Sequence, residues 1–285
     1  MARQMTPTER TTFKGWFPNL DVNAAVVTGE VDAAYNCISW TVGVTNKWLW
    51  PGASIANFDT FYRQWGFVRS GNGPIAAWGS STSSMTHGCI SGPGHGPRWE
   101  SKCGQSLRIQ HGLTELEGAT YGRVVAFYSK GSAAAPFAEL RAASPGQRPK
   151  ARRRTKADAA MKLSKSEKTA LRNDTSSIPD EVRSEFQSAF EAWRKSWFAG
   201  SLAIDSNPYS RAYGSDFDKL VALGPQIMPL VVEKLVDEQN FFALSLYDAI
   251  QSDARLIVQH EPDDPRIMEG EQGRAARVVK AWLGR

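Results

Sequence analysis

No stretch of this chain approaches the roughly 20 consecutive apolar residues that a membrane-spanning helix requires. The opening Met1-Ala2-Arg3-Gln4-Met5-Thr6-Pro7-Thr8-Glu9-Arg10 lacks the apolar segment of a secretory leader. The expectation is a soluble, cytoplasmic protein with no membrane contact. Cysteine is scarce: Cys37, Cys89 and Cys103 are all there are, and an odd number leaves at least one thiol free. Histidine is nearly as sparse, with only His87, His95, His111 and His260. There is no Cys-x-x-Cys pair, so the set His87, Cys89, Cys103 and His111 is a weak zinc pattern and no metal is expected. Gly71-Asn72-Gly73 and Gly92-Pro93-Gly94 lack the Lys-Ser/Thr that follows a phosphate-binding loop, so no nucleotide cofactor is implied.

What is present is aromatic and apolar. The 285 residues include ten tryptophans and are 41% hydrophobic, enough for two ordinary domains with cores of their own. The formal charge of +5 is unevenly spread. Nine basic residues and two acids lie between Arg148 and Lys168, a local +7 that leaves the rest of the chain at −2. Around this run, residues 131–176 are rich in Ala, Pro, Ser, Lys and Arg and read as a basic flexible linker, with a short helix at Lys156–Lys162. Residues 148–168 could make a weak nucleic-acid contact. The plainer reading is a solvated tether.

Before the linker, residues 1–130 read as a helical half followed by a sheet half. Residues 1 to 28 look irregular, anchored by Trp16, Phe17 and Leu20. Ala33, Ile38, Val42 and Val44 fit an amphipathic helix over Asp32–Asn46, with Cys37 near its start, where unpaired amides and the macrodipole favour a thiolate. A second helix is expected at Ile55–Trp65, carrying Phe58, Phe61, Tyr62 and Trp65 toward a core. Short strands follow at Pro74–Gly79, Met85–Ser91, Arg98–Lys102, Leu107–His111 and Arg123–Ser129. After the linker, residues 177–285 are helical throughout. Val182, Phe186, Phe190, Trp193 and Trp197 form one aromatic stripe, and four shorter helices follow. They suggest an all-α module of the helix-pair, HEAT-like kind, whose work would be binding a protein partner. The fold class is therefore α+β with a separate all-α domain.

A cysteine nucleophile needs a base within reach and a group to orient that base. His87 begins the alternating Thr86-His87-Gly88-Cys89-Ile90, and a strand holds a base more rigidly than the Gly-Pro loop around His95. His111 reads as an ordinary sheet histidine. Tyr35-Asn36-Cys37-Ile38-Ser39-Trp40, the later strand opening on His87, and Trp99-Glu100-Ser101-Lys102-Cys103-Gly104 together resemble the papain-like NlpC/P60 cysteine peptidase superfamily over residues 30–130. That resemblance implies a small antiparallel sheet carrying a Cys37 nucleophile, a His87 base and a polar orienter on the next strand. It implies an amide bond of a peptide or protein as substrate. A carboxylate at Glu100 would fix the imidazole tautomer, whereas the Trp-x-Ser-Lys-x-Gly pattern points to Ser101 and Lys102; both remain open. Asn36 and the Cys37 amide are candidates for an oxyanion hole. The alternative is a degenerate domain without chemistry that serves, with the helical module, as an interaction protein.

Overall fold

A computed structural model describes residues 2–92, 96–131, 161–261 and 263–285. The chain divides into two compact units. The first comprises Met1–Lys150 with two returning segments, Ala203–Asn207 and Glu261–Ile267; the second comprises Ala151–Leu202, Pro208–His260 and Met268–Arg285.

The first unit is mixed α and β. Its N-terminal residues, expected to be irregular, instead carry β1 (Arg3–Gln4), helix α1 (Pro7–Trp16) and β2 (Val26–Gly29). The start of α1 is written locally. Thr6 caps the Glu9 amide while Glu9 reaches back to the Thr6 amide, and Pro7 supplies the fixed φ of a first helical residue. Helix α2 is Cys37–Thr41, five residues where the periodicity predicted about fifteen. Asn36 caps it by accepting from the Ser39 amide. It ends at β-branched Val42 and at Gly43, whose φ of +81° takes the chain out of the helix. Helix α3 (Ile55–Gln64) is capped by Ser54 and buries Phe58, Phe61 and Tyr62, as the spacing predicts.

Strands β3 (Phe67–Ser70), β4 (Ile75–Ser81), β5 (Ser84–Gly92), β6 (Gly96–Lys102), β7 (Arg108–His111) and β8 (Arg123–Lys130) complete an antiparallel sheet of eight described strands in the order β1-β2-β7-β6-β5-β4-β8-β3. Side chains alternate across it. One face meets α2: a Cβ on Gly88 would lie 3.2 Å from Ile38 Cδ1 and 3.3 Å from Thr41 Cγ2, so the absence of a side chain there permits the close packing. On this face Lys102 Nζ sits over Tyr35, and the Arg108 guanidinium lies 3.8 Å from the Trp40 ring. The other face carries a core of Ala76, Trp78, Cys89, Cys103 and Ile109, closed by Phe13, Phe17 and Leu20 from the N-terminal segment. Strands β5 and β6 pair at Ile90↔Glu100 and Gly92↔Gly96 but have no register partners nearer His87, so the sheet parts there.

The described part of the second unit is helical: α4 (Lys165–Ser176), α5 (Asp180–Ser196), α6 (Ser215–Ala222), α7 (Met228–Leu235), α8 (Leu244–Ile250) and α9 (Gly270–Leu283), with short 3₁₀ turns between them. Helix α4 corrects the linker reading of residues 131–176. Ser164 and Glu167 form a reciprocal cap, and Leu171 and Thr175 are buried, so this end of the segment is folded. The remainder of the expected linker, and most of the helix expected at Lys156–Lys162, lie outside the described residues, as does most of the basic run at 148–168. Helix α5 carries the expected stripe: Phe186, Phe190 and Trp193 are buried along it, with Trp197 at its C-cap, and Trp193 meets Trp197 edge-on at 4.8 Å. Among the described residues no helix is long and apolar enough to cross a membrane.

Candidate active site

Strand β5 places His87 on the face opposite α2. Its ring stacks on Tyr121 with centroids 3.9 Å apart and planes 8° from parallel, and Trp78 meets it edge-on at 5.8 Å. Strands β6 and β7 bring two more polar side chains to that face. His87 Nε2 lies 2.8 Å from Ser101 Oγ, Ser101 Oγ lies 2.8 Å from His111 Nε2, and His111 Nδ1 lies 2.7 Å from the Gly112 carbonyl. All three side chains are fully buried.

The polarity of this chain follows from its last member. A carbonyl only accepts, so His111 Nδ1 carries the proton that it donates to Gly112. Burial drives the His111 pKa down to about 4, so at neutral pH its Nε2 is a lone pair. Nε2 therefore accepts the single Ser101 hydroxyl proton, and Ser101 Oγ accepts from His87 Nε2–H. That leaves His87 Nδ1 unprotonated. Burial, reinforced by the neighbouring His111, holds the ring neutral by lowering its pKa well below the ordinary value. Among the described residues Nδ1 has no hydrogen-bond partner. The site thus contains a buried imidazole, fixed in one tautomer, with one basic nitrogen vacant.

Cys37 is also fully buried, at the parting of β5 and β6. Its thiol donates to Ser206 Oγ at 3.0 Å, and the Gly88 and Ile38 amides approach the sulfur. The alternation of β5 explains the Gly88 contact. Ile90 pairs with β6, so the Gly88 N–H two residues earlier points the same way, into the gap where β6 has diverged. Burial raises the thiol pKa to about 11, against the opposing help of Ser206 and the two amides. The macrodipole expected to lower it is largely missing, because α2 has only five residues. No hydrogen bond joins Cys37 to His87. Cys37 comes from α2 on one face of β5, with its sulfur at the Gly88 amide, and the His87 ring lies on the opposite face against Trp78 and Tyr121.

The remaining expected residues separate cleanly. Ser101 is the side chain that meets His87. Glu100 is not: it pairs in register with Ile90 on the α2 face, where its Oε1 lies 2.7 Å from Arg108 Nε and 3.0 Å from the Thr28 hydroxyl. Glu100 and Ser101 are adjacent on β6, so their side chains take opposite faces, and only Ser101 reaches the His87 ring. Lys102, also on that face, is buried and donates to the Gly104 and Ser106 carbonyls at 2.7 Å; burial lowers its pKa to about 7. Asn36 uses Oδ1 on the Ser39 amide and hydroxyl, and its Nδ2 donates to the carbonyls of Leu49 at 2.8 Å and Ser206 at 3.4 Å. Trp48 Nε1 donates to the same Ser206 oxygen at 2.9 Å. All three cysteines are free thiols. Among the described residues no group of three or more His, Cys, Asp or Glu is arranged to hold a metal ion.

Two participants were missed in the sequence. His111 looked ordinary because its link to His87 runs through a third strand. Ser206 lies 169 residues beyond Cys37, and nothing local marks it. A family model described as a domain of unknown function (DUF7689) matches residues 26–129. That span includes Cys37, Trp48, His87, Ser101, His111 and Tyr121 and stops well short of Ser206. No curated protein and no solved structure matched the chain.

Proposed function

We propose that the first unit is a cysteine hydrolase of amide bonds, of the peptidase or amidase kind, with Cys37 as nucleophile, His87 as base and Ser101 as its orienter. The observation that carries this reading is the Cys37 sulfur at the start of α2, with Asn36 Nδ2 and Trp48 Nε1 converging on one carbonyl oxygen of the residue that touches it. His87 Nδ1, on the opposite face of β5, would take the thiol proton through the gap where β6 leaves β5. A buried polar nitrogen without a partner is costly. In this reading His87 Nδ1 takes the thiol proton as sulfur attacks the substrate carbonyl. The imidazolium returns the proton to the departing nitrogen, which leaves as an amine and a thioester remains. Water, deprotonated by the same Nδ1, then hydrolyses the thioester and restores the thiol. Ser101 and His111 keep the proton on Nε2 so that Nδ1 remains the base. Asn36 Nδ2 and Trp48 Nε1 converge on one carbonyl position and would carry the oxyanion there. The resemblance of Asn36-Cys37, His87 and the Trp99–Gly104 segment to papain-like NlpC/P60 enzymes points to the same chemistry, with a peptide or protein as substrate.

The test is cleavage of a proteome-derived peptide mixture, with new termini counted by mass spectrometry. Termini absent from Cys37→Ala and His87→Gln proteins support the reading. The same comparison is made in a Ser206→Gly background, which removes the group on the sulfur; identical sets from all proteins in both backgrounds sink it. A second reading, a binding module that has lost its chemistry, draws on the full burial of Cys37 and its raised pKa; it predicts no Cys37-dependent cleavage under any condition.

A further inference from the structure

The five residues Ala203–Asn207 are assigned to the first unit although their sequence neighbours on both sides are not. They are tied down along their length. The Gln105 amide donates to the Ala203 carbonyl at 2.9 Å, and the Tyr121 hydroxyl donates to the Ile204 carbonyl at 2.8 Å. Ile204 is fully buried in the core behind the sheet, and its backbone presses on Gly104. A Cβ there would fall 2.5 Å from the Ile204 carbonyl carbon, so only glycine admits the segment. Asp205 turns the chain by accepting from the Asn207 amide at 2.8 Å. At the apex of that turn stands Ser206, its hydroxyl on the Cys37 sulfur and its carbonyl oxygen receiving both Asn36 Nδ2 and Trp48 Nε1.

One residue therefore offers a carbonyl to two convergent donors while lying against the thiol. A scissile amide would offer its carbonyl oxygen to the same two donors; here the Ser206 hydroxyl, rather than a carbonyl carbon, lies against the sulfur. Resting on the hydrolase reading above, we propose that Ala203–Asn207 is an internal pseudosubstrate occupying the catalytic cleft. The ligand it excludes is a peptide turn that presents a small residue's carbonyl to Asn36 and Trp48 and an apolar side chain two positions earlier. The segment lies outside residues 26–129, so the cover is supplied by a part of the chain beyond the family match. It also accounts for the state of Cys37, since the thiol is sealed from water by the residue that mimics its substrate. In this proposal the cleft opens when the segment lifts, and the remaining core around Cys89 and Cys103 is expected to keep those two thiols protected.

The experiment is iodoacetamide labelling of the full chain, resolved by cysteine. Ile204→Ala removes the apolar anchor. Ser206→Gly removes the group on the sulfur while leaving that core intact, so it serves if the first variant folds poorly. Cys37 labelling is expected to rise at least tenfold in both, with Cys89 and Cys103 still protected. The blocked peptide acetyl-Ala-Ile-Asp-Ser-Asn-amide at millimolar concentration should slow Cys37 labelling in the opened variants, and the same peptide with Asp in place of Ile should not. Labelling unchanged from wild type in both variants overturns the proposal, as does simultaneous labelling of all three cysteines in both. Failure of the Ile peptide to protect overturns the pseudosubstrate role. The two readings separate by outcome. Faster Cys37 labelling without Cys37-dependent cleavage removes the hydrolase and keeps the cover, whereas cleavage by wild type with unchanged labelling does the reverse.

Discussion

The two units differ in one kind of buried polar group. In the sheet unit two buried bases, His87 and His111, are neutral and share one serine on one face, while the other face holds Lys102 on two backbone carbonyls and the Glu100–Arg108 ion pair. In the helical unit the buried groups are acids gathered around a cation. Arg274 is 5% exposed and lies 2.5 Å from Asp248 and 3.9 Å from Glu271, with the Val258 carbonyl at 2.6 Å. Burial raises the Glu271 pKa to about 7 and raises that of Asp248, against the pull of Arg274. The helical arrangement is a network of acids around one cation, in which Asp248 Oδ2 has no hydrogen-bond partner among the described residues. The sheet arrangement is a directed chain of neutral groups that ends on His87 Nδ1.

The contrast breaks most sharply under single substitutions in each unit. His87→Gln keeps the ring's approximate volume but offers no base, and cleavage should fall by about 10²–10⁴-fold. Denaturation of the helical unit, followed by hydrogen exchange in α8 and α9, should not move. Arg274→Met should do the reverse, destabilising the helical unit by about 3–5 kcal/mol at pH 8 because two carboxylates lose their cation. That cost should shrink at pH 5, where Glu271 is protonated. Equal losses at both pH values would mean that Glu271 is not part of the network.

Ser101→Ala sharpens the comparison within the sheet unit. It leaves both histidines but cuts the relay, so His87 no longer has a fixed tautomer. Turnover should fall about 10²-fold. The acid limb of the rate profile should also change. In the wild type, protonation of His111 at about pH 4 makes its Nε2 a donor and reverses the demand on the Ser101 hydroxyl. In Ser101→Ala that limb should no longer report His111. A drop in turnover with the same profile would assign Ser101 a packing role only.

The units should respond to pH with opposite signs. His111 has a folded pKa of about 4 against 6.5 unfolded, and that of His87 is lowered too, so between these limits the unfolded chain binds more protons. The sheet unit is therefore destabilised as pH falls below 6.5. Lys102, lowered to about 7 from 10.5, extends the same slope upward, and stability gains as pH rises from 7 to 10.5. Glu271 has a folded pKa of about 7 against 4.5, so the folded helical unit binds the extra proton and gains stability as pH falls from 7 to 4.5. Urea titrations at pH 5 and 7.5, read by peptide-resolved hydrogen exchange, should show the sheet unit weakening and the helical unit strengthening at the lower pH. Parallel shifts would contradict the assignment of buried charge states.

How much of this was legible in the sequence depends on the range of the interaction. The helix α3, the five strands β4 to β8 and the aromatic stripe of α5 follow from periodicity alone, because each pattern is local. Helix α1 carried a readable signature too, Thr6-Pro7-x-Glu9, which the loop-like composition of residues 1–28 concealed. Helix α2 was overextended because apolar spacing cannot register Gly43 turning the chain. At the site, Cys37, His87 and Ser101 could be nominated from residue types. The direction of the relay could not, since it is set by His111 and the Gly112 carbonyl a strand away. Ser206 was invisible: its role depends on a five-residue return that no pattern near Cys37 encodes.

Of Glu100 and Ser101, both open in the sequence, Ser101 is the one on the His87 face, and the smallest expected effect tests whether the proposed orienter follows from that placement. Glu100→Gln is nearly isosteric and removes only a charge. If Glu100 oriented His87, its loss would cost as much as Ser101→Ala. On the α2 face its partners are Arg108 and Thr28, and Arg108 keeps the Thr28 carbonyl at 2.6 Å and the Trp40 ring after the substitution. Turnover should then stay within about threefold of wild type, while stability falls by about 1–3 kcal/mol for the lost charged hydrogen bond. A much larger loss of turnover with unchanged stability would mean that the carboxylate acts on the imidazole through the strand, and the neutral relay would no longer describe the sheet unit.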